Sequence, residues 1–267
     1  MPCNHRTLSA SGLILVVMML FLTSCNFGRL DVGPVKVDKT EVALDQAESV
    51  NIAVNLGTGD LAIGSGADKL MEAVFTYNVP DWKPEVNYGV DNGLGQLTIR
   101  QPEQKTGIPI NLDRASYSWD LSLNEGIPID MYVTMGAGDG DLELEDLSLE
   151  RLSFTGGLGD VTIALGGSSV QLVDIRLGAG DIFLDLEGIW RQNVTGHLKG
   201  GIGRATVNLP SQVGVKVVTR NSLGTIQAPG FQRSGFTYIN DAFNEADITI
   251  TLDIEGGIGD IILKQSP

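Results

Sequence analysis

Apolar and polar residues alternate with a period of two along most of this 267-residue chain. The pattern is clearest in Asn51-Ile52-Ala53-Val54-Asn55-Leu56, in Ile129-Asp130-Met131-Tyr132-Val133-Thr134-Met135 and in Asp247-Ile248-Thr249-Ile250-Thr251-Leu252-Asp253-Ile254. Successive side chains of a strand point to opposite faces, so each run predicts a strand with one buried face. Val161-Thr162-Ile163-Ala164-Leu165 and Ile182-Phe183-Leu184-Asp185-Leu186 read the same way over shorter spans. The nearest approach to helical spacing beyond the N-terminus, Asp68 to Phe75, is short and runs into the strand-like Val74-Phe75-Thr76-Tyr77. The predicted class is all-β.

Between the alternating runs a glycine-x-glycine corner recurs: Gly57-Thr58-Gly59-Asp60, Gly136-Ala137-Gly138-Asp139, Gly157-Leu158-Gly159-Asp160, Gly178-Ala179-Gly180-Asp181, Gly201-Ile202-Gly203-Arg204 and Gly257-Ile258-Gly259-Asp260. From Asp139 through Asp160, Asp181 and Arg204 to Thr225 the steps are 21, 21, 23 and 21 residues. Periods of this size mark stacked coils, because one unit cannot bury its apolar face alone and neighbours in register make a continuous core. The spacing therefore predicts a β-solenoid over residues 126–267, with coils of about 21 residues. Gly166-Gly167-Ser168-Ser169 and Gly188 to Gly196 are the expected turns on the opposite edge. The 35-residue gap from Thr225 to Asp260 breaks the period, and Pro229 to Ala246 is the expected irregular excursion.

Residues 46–125 differ: one corner, a strand from Met71 to Val79, the bend Pro80-Asp81-Trp82-Lys83-Pro84, and a hairpin signal at Asp91-Asn92-Gly93 before Leu97-Thr98-Ile99. This span is expected to be an N-terminal β subdomain capping the solenoid. Residues 25–45, with Gly33 and Pro34, are expected as a tether.

The first 24 residues stand outside the fold. Arg6 provides a basic start, Gly12 to Leu22 an apolar core, and small residues follow at Thr23 and Ser24, the pattern of a secretion signal. A membrane-spanning helix is the rival reading, but the apolar run falls short of the roughly 20 residues a bilayer needs. Leu22-Thr23-Ser24-Cys25 resembles the bacterial lipobox. That resemblance implies cleavage before Cys25 and a diacylglycerol on its sulfur, making Cys25 the lipidation site. Each buried methylene contributes about 0.8 kcal/mol, and two chains hold where one binds only marginally. The expected location is extracytoplasmic, lipid-anchored at Cys25 to the cell membrane or outer membrane of a bacterium. Cys3 leaves with the signal, so the mature chain has no second thiol for an internal disulfide.

Acidic residues number 33 against 18 basic ones, for a formal charge of −15. Loss of Arg6 makes the mature chain one unit more negative. Such a surface repels phosphate backbones, which argues against a nucleic-acid partner.

Several segments together resemble the toast-rack family of bacterial envelope proteins, related in its C-terminal part to LiaF-type antibiotic-response proteins and to adhesin-like proteins. They are Leu56-Gly57-Thr58-Gly59-Asp60-Leu61, Phe75-Thr76-Tyr77 with Pro84-Glu85-Val86, Trp119-Asp120-Leu121-Ser122-Leu123-Asn124 running through Pro128 to Met135-Gly136-Ala137-Gly138, and Gly256-Gly257-Ile258-Gly259-Asp260. The resemblance implies a non-enzymatic β-solenoid at the envelope with a binding, adhesin-like or envelope-stress-response role, and brings no catalytic residues. It departs in having a lipobox where LiaF-type proteins resemble multi-span membrane proteins.

The remaining candidate chemistry is thin. Repeated Gly and Asp also build the calcium-binding β-roll, but that fold needs a nine-residue repeat, and Arg204 and Thr225 interrupt any carboxylate ladder. Glycine for positive φ and an aspartate oxygen closing the corner explain the motif without metal. Gly57-Thr58-Gly59-Asp60-Leu61-Ala62 fits a dinucleotide fingerprint only formally, since Leu61-Ala62-Ile63 predicts a strand where a helix is required. With His5 in the signal, His197 is the one imidazole left, too few for a histidine dyad or a His-rich metal site. Trp82, Tyr88, Tyr117, Trp119 and Trp190 are either a sugar-stacking surface or core and cap packing. The expectation is a protein with no catalytic, cofactor-binding or metal residues and no cofactor, whose partner beyond the membrane is a cell-wall component or an envelope protein. The alternative is a β-helical enzyme or carbohydrate-binding protein acting on envelope polysaccharide.

Overall fold

A computed structural model describes residues 31–103, 114–220 and 222–266. The chain enters on β1 (Lys36–Val42), then turns through the first corner between β2 (Ser49–Thr58) and β3 (Asp60–Ser65). Next come β4 (Met71–Tyr77), the hairpin β5 (Glu85–Asp91) and β6 (Leu94–Arg100), and β7 (Tyr117–Leu123). Four strand pairs follow, each bent at a glycine corner: β8 (Ile129–Ala137) and β9 (Gly140–Glu143), β10 (Leu149–Leu158) and β11 (Val161–Ala164), β12 (Leu172–Ala179) and β13 (Ile182–Asp185), β14 (Val194–Ile202) and β15 (Ala205–Leu209). The chain ends with β16 (Gly214–Arg220), β17 (Ile226–Gln227), the short strands β18 (Gln232–Ser234) and β19 (Thr237–Ile239), and the pair β20 (Thr249–Glu255) and β21 (Ile261–Gln265).

The strands form two sheets. One has 10 strands in the order β1-β4-β7-β3-β9-β11-β13-β15-β21-β17, the other 11 in the order β18-β19-β16-β20-β14-β12-β10-β8-β2-β6-β5. Each corner carries the chain from the second sheet to the first, and like strands of successive coils pair in parallel. The inward phase of the alternation meets in the middle. Ile52, Met131, Leu152 and Leu252 from one sheet, and Ile63, Leu142, Ile163 and Leu263 from the other, are buried. At about 1.5–3 kcal/mol for each large aliphatic side chain removed from water, this continuous core is the main force holding the coils in register.

Both the all-β class and the stacked coils agree with the sequence expectation. The excursion after Thr225 also forms: β18 and β19 make a hairpin on the outer edge of β16. Its consequence was not legible. With that edge of β16 occupied, the last pair inserts on the inner side, so β20 lies between β14 and β16, and β21 between β15 and β17. In space Arg204 is therefore followed by the Asp260 corner, and only then by Thr225.

At the other end β2 pairs with β8 and β3 with β9 across the full corner, so the residue 57–60 corner is itself a coil of the stack. Around it, β7 pairs with β3 in parallel and β4 with β7 antiparallel to extend the first sheet, and the β5–β6 hairpin extends the second. Asn92 (φ 50°) and Gly93 (φ 81°) supply the positive φ angles that a tight hairpin turn requires. Within the span expected as tether, Lys36–Val42 forms the edge strand β1 along β4. Its residues are mostly exposed, which is why Lys-Val-Asp-Lys-Thr-Glu-Val shows no buried apolar phase.

Candidate functional site

The corners are a stacked backbone column. Gly180 has φ 132°, and a Cβ on it would come within 1.9 Å of the Gly159 carbonyl oxygen. The same contact recurs at Gly138 against Gly59 and at Gly203 against Gly180, so glycine is needed both for the turn and for the approach of the next coil. The aspartates act between coils rather than inside their own corner. The backbone N–H of Asp160 donates to Oδ1 of Asp139 (2.9 Å), that of Asp181 to Asp160 (2.8 Å), and that of Arg204 to Asp181 (2.8 Å). Arg204 offers no acceptor, and the relay resumes where Thr225 N–H donates to Asp260 (2.9 Å). At the first corner Gln101 supplies the acceptor, its Oε1 accepting from Gly57 N–H (2.8 Å) and Thr58 N–H (2.9 Å).

Beside this relay the first sheet presents its outward face. Asp60, Asp139 and Asp160 join Asp120 and Asp141 around an open basin of about 450 Å³, floored by Ala62 and Thr162. Among the described residues no group of His, Cys, Asp and Glu is placed to hold a metal ion. The strand β3 follows the Gly57-Thr58-Gly59 corner where a dinucleotide fold would need a helix.

Four of the five aromatic candidates are core. Trp82, Tyr117, Trp119 and Trp190 are buried, and Trp82, Tyr117, Trp119 and Phe75 form a chain of edge-to-face contacts with centroids 5.4–5.8 Å apart. Tyr117 donates its hydroxyl to the Trp82 carbonyl, and burial pushes its pKa well above the usual tyrosine range. At the rim of this cluster Tyr77 donates to Asp38 (2.8 Å), which holds the Asp38 carboxyl below its usual value, with Lys83 adding to the effect. Tyr88 donates to the Leu44 carbonyl (3.0 Å). The sugar-stacking reading fails for Trp82, Tyr117, Trp119 and Trp190, which are buried, whereas Tyr88 is partly buried against the core. His197 lies on the outward face of β14, in register with Asp174 and Asp253. Cys25 and the signal lie outside the described residues. Among those described, no helix is long and apolar enough to cross a membrane.

Tyr132, an aromatic that faces solvent on a sheet, went unremarked in the sequence. Its signal was present, since it occupies the polar phase of Asp130-Met131-Tyr132-Val133-Thr134.

Residues 31–177 match the N-terminal domain of toast_rack, DUF2154. The chain belongs to the toast-rack family. A solved structure agrees: that of a "putative cell adhesion protein" from Clostridium sporogenes is 31% identical, with a TM-score of 0.68 over 87% of this chain and 100% of that one. A "putative adhesin" from Bacteroides fragilis is more distant, 11% identical with a TM-score of 0.36 over 86% of this toast-rack chain and 97% of its own. No curated protein matches the chain. The toast-rack match runs through the first corner and the next two, so the family pattern spans cap and coils together.

Proposed function

We propose that this protein is a non-enzymatic, adhesin-like binding protein, held outside the cytoplasm by lipid on Cys25 and using the outward faces of its stacked sheets to engage a cell-wall component or envelope protein. The observation carrying this reading is the 31% identity, over the whole length of the C. sporogenes chain, to a "putative cell adhesion protein". The shape of the molecule supports it. The core is filled, the basin at Asp60 and Asp120 is open, and the corner carboxylates are engaged in coil-to-coil hydrogen bonds instead of converging on one bond. Extended faces of a repeat protein bind through many small contributions.

The test incubates residues 26–267, which contain every described strand, with peptidoglycan, teichoic-acid and capsular polysaccharide fragments, and separately with envelope proteins crosslinked on intact cells. Retention without cleavage, eroding gradually as outward residues are changed, is expected. Cleavage abolished by Asp120→Asn in a protein that still folds would replace this reading with the polysaccharide-acting enzyme.

A further inference from the structure

On the outward face of the second sheet Tyr132 stands 42% exposed, with Ala53 directly opposite it on β2 and Ser153 on β10. Both neighbours are too short to cover the ring. The flanking rows on the same face hold Asn51 and Asn55 of β2, Thr134 of β8 and Thr155 of β10. None of these four side chains, nor that of Ser153, has a hydrogen-bond partner among the described residues. The two cations on β6, β2, β8 and β10 are already occupied, Arg100 by Glu85 (2.6 Å) and Arg151 by Asp130 (3.7 Å). From Tyr132 the patch continues toward the first corner, where Asn55 and Thr134 join Thr58, Gln101 and Glu103 around an open basin of about 440 Å³. That volume falls within the roughly 300–1,000 Å³ of small-ligand clefts.

We propose that Tyr132 and this basin form a binding site for an uncharged oligosaccharide, an inference that rests on the binding role proposed above. A pyranose presents an apolar face of C–H groups and a rim of hydroxyls that both donate and accept. The uncovered tyrosine ring takes the apolar face, because the negative face of its π-system attracts C–H groups. Asparagine, serine and threonine meet the rim, since each offers both a donor and an acceptor. Charge rules out the acidic polymers. The chain carries a formal charge of −15, and the only ionic side chain among the described residues lining the basin is Glu103. With both arginines already paired, a phosphate or carboxylate chain meets repulsion that no free cation on these strands offsets. A lipid or an apolar peptide fits no better, because it would strip water from the amides and hydroxyls and give them no partner.

The test titrates residues 26–267, which contain every described strand, with cellotetraose and with chitotetraose, followed through backbone amide shifts in nuclear magnetic resonance. At least one of the two should shift the amides of Asn55, Tyr132 and Thr134, and tetragalacturonate, their acidic counterpart, should not. Tyr132→Ala should weaken binding at least about tenfold, as loss of a central aromatic anchor does. Tyr132→Phe keeps the ring and should stay within about threefold of wild type. Unchanged thermal unfolding of Tyr132→Ala would establish that the fold is intact. Binding that survives Tyr132→Ala, or tetragalacturonate binding as well as the neutral sugars, would overturn the inference. No sugar-induced shift, together with an envelope protein crosslinked on intact cells, would overturn this site and leave the proposed binding role standing. No shift and no partner captured would remove both.

Discussion

Gly180 and Asp181 are neighbours with different burdens. Gly180→Val puts a branched side chain at φ 132° and against the Gly159 carbonyl, a backbone atom that cannot swing aside. Strain and steric overlap together are expected to cost on the order of 3 kcal/mol or more, read as a large fall in the urea midpoint. Asp181→Asn keeps the oxygen that accepts from Arg204 N–H and is expected to stay within about 0.5 kcal/mol of wild type. The reverse order, or a calcium-dependent rise in melting temperature that Asp181→Asn abolishes, would restore the metal reading of the corners.

The elements at the N-terminal end show how a stack is finished. Gln101 satisfies two backbone donors of the first corner, so Gln101→Ala should cost about 1 kcal/mol and speed hydrogen exchange at Gly57 and Thr58, leaving mid-stack amides protected. The aromatic cap predicts a pH response. Burial favours the neutral form of Tyr117 in the folded state, and burial followed by the Asp38 hydrogen bond does the same for Tyr77, whereas the unfolded chain ionises near the ordinary value of 10.0. A raised folded pKa means that this stabilisation is complete below about pH 10 and is lost as the pH climbs above it. Denaturant midpoints should be insensitive to these tyrosines at neutral pH and fall in alkali, less steeply in Tyr117→Phe, which also gives up the hydrogen bond to Trp82.

At the scale of the whole molecule, cap and coils share one core and both sheets, since β2 and β3 pair directly with β8 and β9. A single cooperative unfolding transition is expected for residues 26–267, with tryptophan fluorescence and far-ultraviolet circular dichroism coinciding. The anchor has its own prediction. Cys25→Ser should move the protein from the membrane fraction to a soluble or unprocessed form. Wild type recovered wholly in the soluble fraction, without an acylated N-terminal peptide by mass spectrometry, would remove the lipid from the proposed function.

The alternation of residues 129–135 and 247–254, the glycine corners and their 21-residue steps were enough to determine the class, the coil and the inward face, because strand geometry and burial act on near neighbours and leave a period. Asn92-Gly93 was equally legible, since a tight turn places its demands on the two residues that make it. The order of coils in space was not. Whether the Asp260 corner stacks on Arg204 or beyond Thr225 depends on which edge of β16 the β18–β19 hairpin covers, and every coil offers nearly the same apolar edge. The aromatics were ambiguous for the same reason: Trp119 and Tyr132 both sit on alternating strands, and only the facing sheet distinguishes the buried ring from the exposed one. The exposed Ile202 and Ile258 come side by side only after stacking, because residues 56 positions apart become neighbours when backbone hydrogen bonds set the coils together.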